Sequence, residues 1–464
     1  MNKFLELLQS RVGSPLLTGA DISERYQHDW SSEPAGVPLA VVRPGSTDEV
    51  SAIMQLCSQH GQKVVVQGGL TGLCGGGNPR PRELALSLER LSGIEEIDIA
   101  SMTMTVKAGT PLQVIQEAAV AKGFVFPLDL GARGTCNIGG NISTNAGGNQ
   151  VLRFGMTRNL VLGLEAVLAD GTVISSMNKM LKNNAGYDLK QLFIGTEGTL
   201  GIVTRAVLRL YPKALSRCSA LVAVSEFPQV IELLHKVTRD FAGSLSAFEV
   251  MWNNYYHYIT DNVNGIVSPF VERHPLYVLV ELEGGDQERD QALFEHSLGN
   301  ALEQGMAADA VVASSQRERE KFWKIRDGVA EIGPFLRESA NFDVSVPISF
   351  MQPFLAAIER ELAAKLPGAR MLVFGHIADS NLHIVCYTGR REDIKGMYAI
   401  VYGTVGQFSG SVSAEHGIGV QKLNYLHYSR SPAELALMQT LKQALDPQQL
   451  LNSGRVLSND LRAI

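Results

Sequence analysis

The 464-residue sequence predicts an α+β protein of two domains, the first completed by a C-terminal segment. Three observations carry this. Short β-rich runs alternate with amphipathic helices from Ala40 onward. Glycine, 45 residues in all, clusters between Gly61 and Gly201 and thins out beyond Ala214. The chain is also too long for one ordinary core, so two or three domains are expected. The expected boundaries are 1–213, 214–410 and a closing segment, 411–464.

The opening run MNKFLELLQSRVG carries Glu6 within its apolar residues and reads as an amphipathic helix, not a secretory signal. Ala40 to Arg43 is a short strand broken by Pro44. Ser46 or Thr47 caps a helix running to about His60, with acids in its first turn. Lys63 to Val66 is a strand that empties into the first glycine cluster, Gly68 to Gly77. Thr103 to Ala108 is a strand and Pro111 to Lys122 a helix. The second cluster runs from Gly131 to Gly148. Strands Val161 to Leu168 and Thr172 to Ser175 join at an Asp170-Gly171 turn. The third cluster, Gly195 to Gly201, precedes a strand at Ala206 to Leu210, and Tyr211-Pro212-Lys213 marks the boundary. Beyond it, Ala220 to Val224 and Leu276 to Leu282 read as strands, and Pro228 to Phe241 and Arg289 to Gln304 as helices. The tail is a helix from Pro432, closing on Asp446 to Asn452.

Hydrophobic residues make up 45% and charged residues 19%, ordinary for a soluble enzyme. The net charge is -6 and no basic block stands out, which argues against nucleic acid as a partner. Cys57, Cys74, Cys136, Cys218 and Cys386 are scattered, with no Cys-x-x-Cys pair. This fits a reducing compartment and argues against disulfides and a thiolate metal site. No stretch reaches the roughly 20 apolar residues that span a bilayer. A cytoplasmic protein is expected, with peripheral contact at an inner membrane left open.

The strongest chemical signal is Gly375-His376-Ile377-Ala378-Asp379-Ser380-Asn381-Leu382-His383, followed by Ser413-Ala414-Glu415-His416-Gly417. A hairpin centred on Asp379 and Ser380 sets His376 opposite His383, with Cβ atoms about 4.5–5.5 Å apart. Two imidazoles at that spacing can share a metal ion, with Glu415 as the third ligand and His416 left as acid or base. The same pattern also describes a hairpin with two buried, hydrogen-bonded histidines. Both readings stay open on spacing alone.

Neither G-x-G-x-x-G nor a Walker A sequence occurs. The first glycine cluster nonetheless follows a strand, and its consecutive N–H groups can cradle a pyrophosphate. Each cluster alone reads as a loop. Three in one domain, interspersed with Asn and Thr, point to a large, flat cofactor.

Residues 40 to 212 resemble the FAD-binding domain of the vanillyl-alcohol oxidase and p-cresol methylhydroxylase (PCMH) family, through VVVQGGLTGLCGG, PLDLGARGTCNIGGNISTNAGG and NNAGYDLKQLFIGTEGTLGIVT. The remainder resembles the D-2-hydroxyacid dehydrogenase branch (D-lactate, D-2-hydroxyglutarate and glycolate-type enzymes), through FWKIRD, FDVSVPI, GHIADSNLH, GSVSAEHGIG and LDPQQLLNSG. The resemblance implies a PCMH-type FAD domain of two subdomains, an α+β substrate domain, and a tail returning to the flavin. It places Gln67, Gly68, Gly69, Leu70, Thr71, Gly72 and Leu73 around the FAD diphosphate. Asp129, Gly134, Thr135, Gly139, Gly140, Asn141, Thr144, Asn145 and Gly147 then line the cofactor in the second cluster, as do Glu197, Gly198, Gly201 and Ile202 in the third, with Asn452 from the tail. The FAD is expected to be non-covalent.

The implied reaction oxidises a D-2-hydroxy acid to the 2-oxo acid, with hydride passing to flavin N5. A divalent metal on His376, His383 and Glu415 would bind the hydroxyl and lower its pKa. Zinc suits these ligands first; manganese, iron and cobalt fit them too. His416 takes the proton by the resemblance, and a structural histidine orienting a ligand is the other reading. Arg326 grips the carboxylate, the alternative being a surface salt bridge to Asp327 or Glu331. Where D-2-hydroxyglutarate members carry Thr, Lys and Asn around the distal carboxylate, this chain has Ala330, Asn341 and Val385. The expected substrate is therefore lactate-like or apolar, with D-2-hydroxyglutarate as the alternative. The acceptor is an electron-transfer flavoprotein, a quinone or a cytochrome, and oxygen in the rival oxidase reading. A homodimer is compatible with the family. A metal-dependent hydrolase without flavin is the reading from another class.

Overall fold

The computed structural model describes residues 3–332, 336 and 338–458. It divides into two compact units. The first comprises Met1–Gly148, Phe154–Lys213 and Glu415–Ile464, the second Asn149–Arg153 and Ala214–Ala414. The chain re-enters the first unit at Glu415, where the sequence places the change at 411. Backbone pairing is the reason: Ser411 bridges Ser345, and the Ala414 N–H donates to the Asp343 carbonyl at 3.2 Å.

The first unit holds two main sheets and a two-stranded antiparallel pair, Phe124–Val125 with Tyr211–Pro212. A parallel sheet orders Ala40–Val42, Leu84–Ser87 and Val64–Gln67. An antiparallel sheet orders Ile94–Asp98, Thr103–Lys107, Ile202–Arg209, Val161–Val167 and Val173–Ser176. The helix Thr47–His60 starts where the Ser46 hydroxyl accepts from the Glu49 N–H, and ends at Gly61 in the left-handed conformation. It buries Val50, Ile53, Met54, Leu56 and Cys57 in a core shared with both sheets. The first glycine cluster follows the strand Val64–Gln67 and the third precedes Ile202–Arg209, while the second contains the helix Ile138–Thr144.

The tail is anchored by two ion pairs, the fully buried Arg455–Glu83 pair and Lys442–Asp446. Lys442, in the helix Pro432–Leu445, donates to Asp446 Oδ2 at 2.6 Å and to the Thr199 and Leu451 carbonyls, each at 2.8 Å. Asp446, fully buried, accepts from the Leu450 and Leu451 N–H groups. Every charge is thus paired and hydrogen-bonded. The segment then pairs with Val64, bringing Asn452 beside Val66.

The second unit is a seven-stranded antiparallel sheet in the order Asp309–Val312, Ser216–Val224, Leu276–Gly284, Leu245–Trp252, Arg370–His376, Asn381–Tyr387 and Ser339–Ser345. One face packs Leu221, Met251, Tyr277, Leu279, Phe374 and Val385 against Tyr255, Ile259, Phe322 and Ile325 of the helices Asn253–Asn262 and Gln316–Arg326. The strand Leu245–Trp252 has no counterpart in the sequence reading. Its run LSAFEVMW is buried on both faces, so it lacks the alternation that marks a half-exposed strand.

Asp446→Ala leaves the half-buried Lys442 ammonium without its counter-charge. It is expected to destabilise the protein by about 3–5 kcal/mol, read from urea unfolding of the purified chain.

Candidate active site

The first unit encloses a cavity of about 380 Å³, within the range of small-molecule sites. Its lining includes Gly68, Gly69, Leu70, Thr71, Gly72 and Leu73 from the first cluster, and Gly139, Gly140, Asn141, Thr144 and Gly147 from the second. Glu197, Gly198, Gly201 and Ile202 line it from the third, with Glu415, His416 and Asn452 from the tail. The sequence reading omitted Asp29, Trp30, Asn137 and Ser143, which also line it; none lies in a glycine motif except Asn137 and Ser143.

Five expected cofactor residues stand outside this lining. Gln67 braces the first loop, donating to the Tyr26 and Gly77 carbonyls. Thr135 supports Gly69 from behind, because a Cβ on Gly69 would strike the Thr135 carbonyl. Gly134 faces Gln113. Asp129 offers its carbonyl where a Cβ on Gly148 would collide. Asn145, at positive φ, ends the helix Ile138–Thr144 and accepts from the Arg158 N–H. These glycine motifs thus serve backbone packing as well as ligand approach. Asn452 does both: its Oδ1 accepts from the Val66 N–H at 2.8 Å, and its Nδ2 donates to the Glu197 carbonyl at 2.6 Å.

The second unit gathers a different set. Residues two apart on a strand share a face, so the pairings place Glu249, His376, His383, Val385, Asn341 and Asp343 on one side of the sheet. Glu249 Oε1 accepts from His376 Nδ1 at 2.6 Å, and Glu249 Oε2 from Arg326 Nε at 2.9 Å. Arg326 Nη2 lies 2.8 Å from His376 Nε2. Since Arg can only donate, His376 Nε2 accepts and its proton sits on Nδ1. All three residues are buried. Burial works to raise the Glu249 carboxyl, but His376 and Arg326 outweigh it and hold it at about 2. Burial likewise works to lower Arg326, and Glu249 and Asp327 drive it above its ordinary value. Arg326 Nη1 also donates to Asp327 at 3.1 Å, so the expected salt bridge exists as one arm of a buried network.

The hairpin register differs from the expected one. His383 stands opposite Phe374, and His376 opposite Glu249. The connection is a turn of 3₁₀ helix, Ile377–Asp379, closed by Ser380 at φ 70°. This moves the centre of the hairpin off the Asp379–Ser380 pair. The shift spans two residues, so both imidazoles keep the same face, and their ring centroids lie 5.3 Å apart. His383 Nδ1 is 3.8 Å from Asp343 Oδ1. Asp379 in this turn is pushed up to about 6 by burial. Asn341 faces Val385 directly across the neighbouring strand. Val385 is buried in the apolar cluster, whereas Asn341 and Ala330 are exposed.

A family described as "FAD linked oxidases, C-terminal domain" matches residues 213–456, and one described as "FAD binding domain" matches 38–176. The chain belongs to the FAD-linked oxidases. Among relatives of this chain is a D-2-hydroxyglutarate dehydrogenase of Xanthomonas citri pv. viticola, 38% identical across 98% of this chain and 96% of the relative. The mitochondrial D-2-hydroxyglutarate dehydrogenase of Arabidopsis thaliana is 36% identical across 94% and 78%. The fold is similar to p-cresol methylhydroxylase at TM-score 0.80 and 15% identity, covering 99% and 98%, and to alkyldihydroxyacetonephosphate synthase at TM-score 0.75 and 14% identity, covering 97% and 84%.

The cavity fits FAD on its own chemistry. Asp29 Oδ2 and Asn141 Oδ1 are buried acceptors in its lining with no hydrogen-bond partner among the described residues. They suit the hydroxyl and N–H donors that a dinucleotide presents. Gly140 opens onto free space, with nothing within 4 Å of an added Cβ. Gly140→Leu is therefore expected to give a folded but colourless protein. Flavin absorbance with a thermal melt checks this, and a yellow variant of normal flavin content would place the cofactor elsewhere.

Proposed function

We propose that this FAD-linked oxidase converts a D-2-hydroxy acid to its 2-oxo acid. The observation that carries the reading is Arg326, buried but with only three of its five N–H groups engaged among the described residues. The two N–H groups left, one on each terminal nitrogen, match a carboxylate. Glu249 holds the guanidinium by Nε, so its orientation is set before substrate arrives. His416, in the cavity lining, accepts the proton of the C2 hydroxyl as the C–H bond breaks. Bound FAD supplies the acceptor for the C2 hydride.

His376, His383 and Glu415 are the proposed ligands of a divalent cation, zinc first, with manganese, iron and cobalt as alternatives. Their support is the donor chemistry: His376 carries its proton on Nδ1 toward Glu249, the carboxylate–histidine arrangement that metal-binding imidazoles use, and cation binding would exchange the Arg326 hydrogen bond on Nε2 for the metal. The cation would polarise the hydroxyl oxygen. Glu249→Gln is expected to weaken cation affinity by about 10–100-fold, measured by competition with a chromophoric chelator.

The substrate side chain is proposed to be apolar or lactate-like. Val385 is packed among Leu372 and Phe374, and Asn341 opposite it carries no charge. A distal carboxylate there would find no charged partner among Ala330, Asn341 and Val385. The relatives' names favour D-2-hydroxyglutarate as the second reading. The acceptor is proposed to be an electron-transfer flavoprotein, a quinone or a cytochrome. No helix among the described residues is long and apolar enough to cross a membrane, and all five cysteines are buried and outside disulfides, which supports a cytoplasmic setting.

Anaerobic flavin bleaching by D- and L-lactate, 2-hydroxybutyrate, malate and 2-hydroxyglutarate tests the reading. D-2-hydroxybutyrate is expected to exceed D-2-hydroxyglutarate in kcat/KM, and the reverse order would overturn the apolar pocket. His416→Ala is expected to lower kcat by about 10²–10⁴-fold, and a yellow protein that none of the acids bleaches would remove the substrate class altogether.

A further inference from the structure

We infer that Glu197 is a positioning residue for His416, holding the loop that carries it against the flavin cavity. The inference rests on the reading of His416 as the base. Both carboxylate oxygens of Glu197 are engaged by that loop: Oε1 accepts from the Ile418 N–H at 2.6 Å and Oε2 from the Gly419 N–H at 2.9 Å. Two adjacent N–H groups converging on one carboxylate leave it a bidentate clamp on the residues just after His416.

The loop is shaped to sit on this clamp. Gly417 has φ 81° and Gly419 φ 53°, conformations that side chains rarely adopt. A Cβ on Gly417 would come within 2.7 Å of Glu197 Oε1, and one on Gly419 would strike the Cys74 carbonyl. The opposite side of the loop is stapled to the first glycine cluster. The Val420 and Gln421 N–H groups donate to the Cys74 carbonyl at 2.9 and 3.2 Å, and Cys74 Sγ donates to the Gly417 carbonyl at 3.3 Å. His416 is thus followed by a loop pinned between the first and third clusters, both of which line the cavity.

Glu197 is itself held in an unfavourable conformation. Its φ is 52°, a value that non-glycine residues adopt only where the surroundings impose it. Its N–H donates to the Ser143 carbonyl at 2.7 Å, and its carbonyl accepts from Asn452 at 2.6 Å. The backbone is therefore fixed by the second cluster and the tail, and the side chain points back to the His416 loop. A residue serving only as cavity wall needs neither the strain nor two loop amides.

The test uses the full-length holoenzyme with Glu197→Gln, His416→Ala and the double variant. Glu197→Gln keeps the volume but sets an NH₂ group against one of the two N–H donors. Hydrogen exchange of the Ile418 and Gly419 amides is expected to accelerate, with the strand Val64–Gln67 unchanged and flavin content intact. kcat is expected to fall by about 10–100-fold, the scale of a misplaced catalytic group, with KM moving within about twofold. In the His416→Ala background, Glu197→Gln is expected to change kcat by less than about twofold, since the two act as one unit. Unchanged exchange, or equal fold-losses in both backgrounds, overturns the clamp. If His416→Ala alone keeps wild-type kcat, the base assignment fails, and the exchange result alone then decides the clamp. If Glu197→Gln loses flavin, Glu197→Asp decides: flavin retained with lowered kcat supports the clamp, and flavin lost in both variants overturns it.

Discussion

A carboxylate buried in a sheet has to be paired on both oxygens, and Glu249 meets that constraint with the two residues that matter most in the second unit. One oxygen takes the His376 Nδ1 proton and the other takes Arg326 Nε. The consequences reach outward. His376 is confined to one tautomer, with Nε2 as its acceptor. Arg326 is held by its inner nitrogen, leaving the terminal nitrogens to face other partners. The strand pairing that sets Glu249 opposite His376 also fixes which face the hairpin presents. Removing the carboxylate would leave a buried guanidinium without its main counter-charge, so the sheet and the chemistry depend on the same group.

The first unit meets a different constraint. Its cavity is bounded by backbone, and backbone walls stand only where side chains are absent or held away. Gly69 lies against Thr135, Gly139 against Ala108, and Gly148 against Asp129. The remaining polar side chains mostly brace these loops from behind. Gln67, Asn145 and Asn452 each tie loop to loop through backbone groups. Two acceptors in the cavity lining, Asp29 Oδ2 and Asn141 Oδ1, have no hydrogen-bond partner among the described residues. The tail enters this scheme through Lys442 and Asp446, which fix the turn that delivers Asn452.

Asn341 and Val385 face one another across two strands, one exposed and one in the core. Both share a sheet face with Glu249, His376 and His383.

Much of this was legible in the sequence. The three glycine clusters, the two histidines flanking a turn, the Glu415-His416 pair and Arg326 are all local patterns, and local patterns survive in a linear text. The helix start at Ser46 and the tail helix from Pro432 were readable for the same reason. The hairpin register was not, because it depends on how the Ile377–Asp379 turn closes, and period-2 alternation is unchanged by a two-residue slip. Glu249 was invisible. It lies in an apolar run with no alternation, far along the chain from both partners, and a lone acid there carries no signal until strands pair. Asp29 and the clamping role of Glu197 were hidden likewise, since each acts on residues distant in sequence. The sequence by itself determined which residue types were available for the chemistry; tertiary structure alone decided which buried charges meet, because pairing across strands is a long-range property that no local pattern encodes.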